Sequence, residues 1–333
     1  MATAADRRVE EGTRRGWLGH GRELLRAGRE PLASLAGVGL VLLAAAVFAP
    51  HFYSVQNLSN VVRQMGFLCV VALGQTFVLL VAGIDLSVGG LQGLAMVALA
   101  QITHGRDAAL LPAIGFAFLA GAAVGLVNAA LVVGRRVPPF VATFATFVLV
   151  EGLLLLWTGG APSGSIPTGI QVLGAGSVGP IPVPSLIAAG LVLIAAFVLR
   201  RTGYGLFVYA TGANRLAAAM SGLPTKRVIA STYVISALLA VLAGLMISGY
   251  AGYVDTYLTQ SLNLDSIAAA IVGGTSLLGG RGGVFRTLAG VLLISVVVNF
   301  MVILNAGQAG QLLIEGLVII LAVLLQMRGR VER

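Results

Sequence analysis

Ten apolar runs follow one another along this 333-residue chain, at 33–49, 58–82, 88–103, 108–133, 140–157, 183–199, 228–250, 264–278, 288–304 and 312–327. A helix needs about 20 residues, with a range of about 17 to 25, to cross the hydrocarbon core of a bilayer. Most of the runs reach that length once each end is extended by a turn. The eighth is interrupted by Gly273, Gly274, Gly279 and Gly280. The pattern predicts an all-α membrane protein, a polytopic helical bundle of about ten transmembrane helices forming a single domain over 33–327.

Three polar stretches punctuate the runs. Residues 1–32 carry seven arginines, and Trp17, Leu18, Leu24 and Leu25 fall on one face of a helix. They read as a helix on an anionic membrane surface, or as an unstructured basic tail. Residues 159–182 hold no charge and are rich in Gly, Pro and Ser, the composition of a loop. It is either a docking site for a soluble protein or a tether. Residues 200–228 hold five basic residues and no acid. Within them 213–221 reads as a short helix closed by Gly222 and Pro224. A short helix held between two spans suits one mechanical task, passing force from a soluble partner to those spans.

Charge sets the orientation. With the N-terminus cytoplasmic and ten spans, 19 of the 21 Lys and Arg lie inside and only Arg63 and Arg106 outside, as the positive-inside bias requires. Both termini are then cytoplasmic, with 328–333 a short inner tail. This distribution over inner loops assigns the net charge of +9 to topology rather than to nucleic-acid binding.

Composition narrows the class further. The chain is 58% hydrophobic and 10% charged, where soluble domains carry about 25% charged residues. Its 45 glycines suit helices whose backbones approach closely in lipid. The single cysteine, Cys69, lies in an apolar run, reads as packing, and forms no internal disulfide.

Enzyme chemistry finds little support. Lys226 is the only lysine, and Thr225 and Arg227 flank it, so no phosphate-cradling Gly-Lys-Ser/Thr loop exists. His20, His51 and His104 are scattered, without metal-ligand spacing. No metal or cofactor is expected. Acids at membrane depth are the functional suspects. Asp85, in the sequence GIDLSVGG, and Asp265, at the start of the glycine-broken run, both read as helix N-caps. Gly273 and Gly274 read as hinges. Glu151 and Glu315 either line a polar path or bond a neighbouring helix. The glycine-interrupted places at 83–90 and 265–283 fall in the two halves of the chain, an arrangement that points to a transport path between repeats. A faint echo between 120–128 and 289–299 draws attention to Asn128 and Asn299, which read as cross-helix amides or as path residues.

Four stretches together resemble a known family: ALGQTFVLLVAGIDLSVGG (72–90), VPPFVATFATFVLVEGL (137–153), ATGANRLAAAMSGLPTKRV (210–228) and LDSIAAAIVGGTSLLGGRGGVFRTLAGVLL (264–293). They look like the permease subunit of monosaccharide ABC importers of the ribose, galactose, xylose and autoinducer-2 type, over nearly everything after residue 55. The resemblance implies a pair of permease subunits, identical or not, in the bacterial inner membrane. It also implies a separate cytoplasmic ABC ATPase and a periplasmic or exported substrate-binding protein. Asn214, Arg215, Ala218, Ala219, Ser221 and Gly222 match the family's ATPase-coupling segment. Permeases of other ABC importers carry Glu-Ala-Ala where this chain has Ala217-Ala218-Ala219, so no acid stands there to pair with the ATPase. A neutral sugar calls for amides and apolar or aromatic walls, which makes Gln75, Asn128, Phe140, Thr143, Glu151 and Asn299 the path candidates. The rival readings are an ion-gradient carrier using Asp85, Glu151 or Glu315, a related permease for branched amino acids or nucleosides, and a scaffold without transport.

Overall fold

The computed structural model describes residues 29–307 together with 309–311, 313, 314, 316, 317 and 320, with backbone alone at 29–33, 50 and 256–261. The tail before residue 29, Glu315, most of the tenth predicted run and the C-terminal tail lie outside the described residues. In chain order the main helices are α1 (Arg29–Phe48), α2 (Val55–Leu80), α3 (Ser87–Thr103), α4 (Leu110–Ala129), α5 (Pro139–Trp157), α6 (Val183–Arg201), α7 (Gly203–Ala213), α8 (Arg215–Met220), α9 (Thr225–Ala251), α10 (Thr256–Val272) and α11 (Val284–Ile303). Among the described residues six helical segments are long and apolar enough to cross a membrane: Val55–Leu80, Asp107–Gly134, Pro139–Trp157, Val183–Arg201, Thr225–Ala251 and Val284–Ile303. Three shorter apolar helices, Ser34–Phe48, Ser87–Thr103 and Leu262–Val272, accompany them.

Helix α9 is the axis of the bundle. Its 27 residues span about 40 Å at 1.5 Å per residue, and it packs on α2, α3 and α4. Small residues bring these backbones together, as in membrane bundles generally. A Cβ on Gly125 of α4 would stand 2.9 Å from Val234 Cα, and one on Gly244 would stand 2.6 Å from Gln92 O of α3. Leu73, Leu91, Met96, Tyr233, Leu245 and Met246 fill the interior between them, and Cys69 packs there too. A helix apolar on every side belongs inside such a bundle, which explains why α3 and the part of α2 from Gly66 onward are almost wholly buried.

The outer helices α4, α5 and α6 instead leave Leu119, Leu149, Leu156, Leu193 and Phe197 exposed. A band of this kind would be an aggregation surface in water; in a bilayer it meets the acyl chains. Helix α6 ends on Arg200 and Arg201, cations well placed at the negative end of the helix dipole.

The stretch 159–182 is folded down onto the far end of α9, so it is no free tether. It contains the turn Thr168–Ile170, the one-turn helix Gln171–Gly174 and a hairpin pairing Ser177–Val178 with Ile181–Pro182. Asp107 pins it by accepting from Gly169 N at 2.7 Å and from Thr168 Oγ1 at 2.9 Å. Gly174 packs so closely that a Cβ there would stand 2.0 Å from Met246 O.

Candidate coupling and translocation site

The link between α6 and α9 is built for exposure at its tip. The extended backbone of Asn214 (φ −159°, ψ 101°) separates α7 from α8, and its side chain caps α8 by accepting from Ala217 N at 3.0 Å. That is the usual work of an Asn N-cap. At the other end Gly222 takes φ +80°, Gly222 N donates to Ala219 O at 3.0 Å, and Leu223 N donates to Ala218 O at 3.1 Å. A left-handed glycine closing the last turn in this way is a standard helix stop. Ser221 Oγ donates to Ala217 O at 3.0 Å.

The helix is therefore defined at both ends, and its faces differ. Ala218 turns inward and is buried, whereas Asn214, Arg215, Ala219, Ser221 and Gly222 are exposed. Leu216 and Met220, one helical turn apart, are 72% and 81% exposed. Sequence reasoning passed over this pair. Its signal in the sequence is only an i, i+4 apolar couple.

Behind α8, the end of α7 is wedged into the two interrupted segments. Gly280 N donates to Leu80 O at 2.9 Å. A Cβ on Gly212 would stand 1.7 Å from that same oxygen and 2.6 Å from Gly280 N. Tyr209 Oη, one turn back on α7, donates to Gly282 O at 3.1 Å. Three pieces of backbone thus meet directly: the end of α2, the end of α7 and the glycine loop after α10.

The first interruption runs from the end of α2 to the start of α3. Asp85 is fully buried there. Its Oδ1 accepts from Ser87 N at 3.0 Å and from Ser87 Oγ at 2.5 Å, so it serves the opening turn of α3 from one residue before the formal cap, Leu86. Gln75 brackets the same residue: its Nε2 donates to Asp85 O, and its Oε1 accepts from Asp85 N at 3.4 Å. From Ser87 the chain of contacts continues, with Asn128 Nδ2 donating to Ser87 Oγ at 2.9 Å and Thr146 Oγ1 donating to Asn128 Oδ1 at 2.7 Å. Thr143 Oγ1 donates to Ile84 O at 3.2 Å. Asn263 of α10 donates to Leu86 O at 3.1 Å. Gln75, Asn128 and Thr143, far apart in sequence, are thus brought to one place, together with Ser87, Thr146 and Asn263.

Two residues around this break carry buried polar atoms with no hydrogen bond within the described residues: Tyr233, at Oη, and Gln92, at both side-chain heteroatoms. Tyr233 Oη lies 2.6 Å from where a Gly83 Cβ would be. Buried groups of this kind are nearly always paired. Both residues lie beside the same interruption.

The other sites stand apart. Asn299 of α11 exchanges amide hydrogen bonds with Asn57 of α2, at 2.9 and 3.0 Å. It clasps two helices and does not join the Asn128 cluster, since the second echo residue finds its partner elsewhere. Phe140 begins an aromatic row on α5, its ring stacked 6.1 Å from that of Phe144. Glu151 is half-buried two turns beyond Thr143 on the same helix.

Asp265 does not open a helix. Helix α10 starts at Thr256, so Asp265 lies in its interior, and the cap reading is corrected. The run TYLTQSLN is polar but contains no helix breaker, which lets the helix begin earlier than the apolar run. The second interruption follows: Gly273 N closes the last turn on Ala269 O at 3.0 Å, and Gly274 leaves the helix with φ +102°. A Cβ on Gly273 would stand 2.0 Å from Arg286 O. Thr287 at the start of α11 shares a 2.7 Å hydrogen bond with Thr76 of α2, so the two interrupted segments are tied side chain to side chain as well.

A multi-pass helical protein with two interrupted segments meeting beneath an exposed short helix has the architecture of a membrane transporter. Residues 57–323 match the family described as branched-chain amino acid transport system / permease component, and the chain belongs to that family, a multi-pass protein of the bacterial inner membrane. It is 34% identical over 306 residues to the ribose import permease protein RbsC of Haemophilus influenzae, covering 89% of this chain and 94% of that one. It is 35% identical over 302 residues to RbsC of Bacillus subtilis, covering 90% and 93%. The autoinducer 2 import system permease protein LsrC of Klebsiella pneumoniae is 33% identical over 303 residues, covering 91% and 87%. No solved structure matches the chain.

Proposed function

We propose that this chain is the membrane-spanning subunit of an ATP-driven importer that moves a monosaccharide, or a similar small polyol-like solute, across the inner membrane by alternating access. One observation carries the reading: α8 presents Leu216 and Met220 outward while its stem, α7, is wedged between both interrupted segments. Under this reading α8 seats in a groove of a separate cytoplasmic ABC ATPase. Closure of the ATPase pair on ATP pushes α8, and the Gly212 wedge passes that push to Leu80 and Gly280. The interruptions, with their unpaired polar atoms, respond by changing which side the path faces. A neutral polyol needs hydroxyl and amide partners rather than a counter-charge, and Gln75, Asn128, Thr143 and Tyr233 offer that chemistry. Asp85 is assigned to hold the opening turn of α3.

In the assembly each permease chain has ten spans with both termini cytoplasmic, two such subunits stand side by side, and an exported binding protein delivers solute to the outer face. The relatives named as ribose and autoinducer-2 import permeases support this solute class. The test is a gentle detergent pull-down of the tagged full-length chain from its native membranes. Recovery of a P-loop ATPase is expected. Recovery of the chain alone, under conditions that keep a known ABC complex intact, would contradict the reading and favour a gradient-driven carrier.

A further inference from the structure

At the end of the bundle that carries α8, a small open cleft of about 60 Å³ lies between α6, α7 and the first turn of α11. Arg200, Tyr209 and Arg286 line it, with Phe285 and the backbone of Gly283. Arg200 lies with its guanidinium carbon 4.7 Å above the Phe285 ring centre, a cation–π geometry that fixes the side chain while leaving its N–H edge available. Arg286 is anchored by Nη1 donating to Gly274 O at 3.3 Å. Tyr209 stands in the field of both guanidiniums and spends its proton on Gly282 O. Among the described residues no acid lines the cleft.

Beside the cleft the surface is apolar and exposed. Leu193, Phe197 and Arg200 fall on one face of α6, spaced four and three residues apart, and both Leu193 and Phe197 are exposed. An arginine pocket at the end of a lipid-facing apolar stripe has the shape of an amphiphile: an anionic head at one end and an acyl chain along the helix. We propose that this cleft binds the phosphodiester headgroup of an anionic phospholipid, with Arg200 and Arg286 as its cationic partners and one acyl chain lying over Phe197 and Leu193. Basic pockets between transmembrane helices at an inner leaflet recognise such headgroups, and arginine suits phosphate by its forked donors. The cleft shares Gly282 and Gly283 with the second interruption, so an occupied headgroup braces the loop that α7 touches. This inference rests on the membrane placement and not on the transported solute.

The test uses the full-length chain, purified and delipidated in detergent, and reads its thermal midpoint together with retained phospholipid by native mass spectrometry. Dioleoylphosphatidylglycerol is expected to raise the midpoint by about 3–6 °C. Dioleoylphosphatidylcholine, with the same tails, and inorganic phosphate are expected to raise it little. Arg200→Gln should lose at least half of the phosphatidylglycerol shift and of the retained lipid. Arg200→Lys should keep part of both, and Arg135→Gln, a charge removed from another exposed position, should keep both whole. Equal protection by phosphatidylcholine, or an undiminished shift in Arg200→Gln, would overturn the proposal. Equal protection by inorganic phosphate would reassign the cleft to a free anion. Protection supplied only by a co-purified ATPase subunit would reassign it to a protein contact. If Arg200→Gln does not elute as a folded species, Phe197→Ser tests the acyl stripe instead, and an unchanged lipid shift there would count against the site.

Discussion

Gly280 donates its amide to the carbonyl of Leu80 at 2.9 Å, and Gly212 packs against the same carbonyl beside that donor. No side chain intervenes at this junction, so any movement of α7 is felt by both partners within a bond length. A methyl group at 212 has nowhere to go, since the position it would take lies 1.7 Å from a backbone oxygen. Gly212→Ala should therefore displace α7 from its seat. Overpacking of this kind costs about 1–3 kcal/mol, and we expect a lower thermal midpoint. ATP-driven uptake per folded molecule should fall by about tenfold or more, the factor that corresponds to 1.4 kcal/mol. Wild-type uptake in Gly212→Ala proteoliposomes would mean that the junction does not transmit.

The polar chain Asp85–Ser87–Asn128–Thr146 makes a second prediction. Ser87 is its middle link, donating to Asp85 and accepting from Asn128. Ser87→Ala leaves a buried carboxylate oxygen and a buried amide short of partners, at about 1–3 kcal/mol. Thr146→Val removes only the terminal donor and should cost less. Denaturation midpoints of the two variants in one detergent decide the order, and the reverse order would contradict a linear chain centred on Ser87.

Asn57 and Asn299 form a closed reciprocal pair. Asn299→Ala should destabilise by about 1–3 kcal/mol, because Asn57 is then left facing an apolar partner. A double-mutant cycle with Asn57→Ala should return a favourable coupling. Uptake per folded molecule should change little in either single variant. A selective loss of uptake with unchanged stability would instead favour a place for Asn299 on the path.

Topology has its own direct check. Cys69 is the only cysteine and is buried in α2, so a membrane-permeant maleimide should leave it unlabelled until the protein is denatured. In a Cys69→Ser background, Val172→Cys and Met220→Cys, both at exposed positions, should label from opposite faces of the membrane. Labelling from the same face would contradict the ten-span arrangement.

How much of this was legible beforehand differs element by element. The apolar runs locate the bundle because in lipid the hydrophobic signal is continuous and long. Asn214 and Gly222 delimit α8 because capping is local chemistry, read three or four residues at a time. The glycines at 83–90 and 265–283 mark interruptions but give no hint that Leu80 and Gly280 meet, since a backbone contact between distant segments leaves no mark in either. Asn299 looked equivalent to Asn128 because an amide in an apolar run reads the same whichever helix it faces. Asp265 looked like a cap because the polar turn before it resembles a loop. Leu216 and Met220 carry no distinct mark in the sequence, because an apolar pair is ordinary in so hydrophobic a chain and stands out only when the fold leaves it uncovered.

In the proposed mechanism α8 is the contact through which an ATPase drives this bundle. The most direct measurement is ATP-dependent uptake by proteoliposomes holding the chain, its ATPase and its binding protein, with Leu216→Asp and Met220→Asp compared against wild type at equal membrane insertion. Both side chains are exposed and α8 is capped independently of them, so the variants should fold. Uptake should fall at least tenfold (about 1.4 kcal/mol), with the ATPase no longer retained on the permease; wild-type uptake with the ATPase still bound would contradict this role of α8.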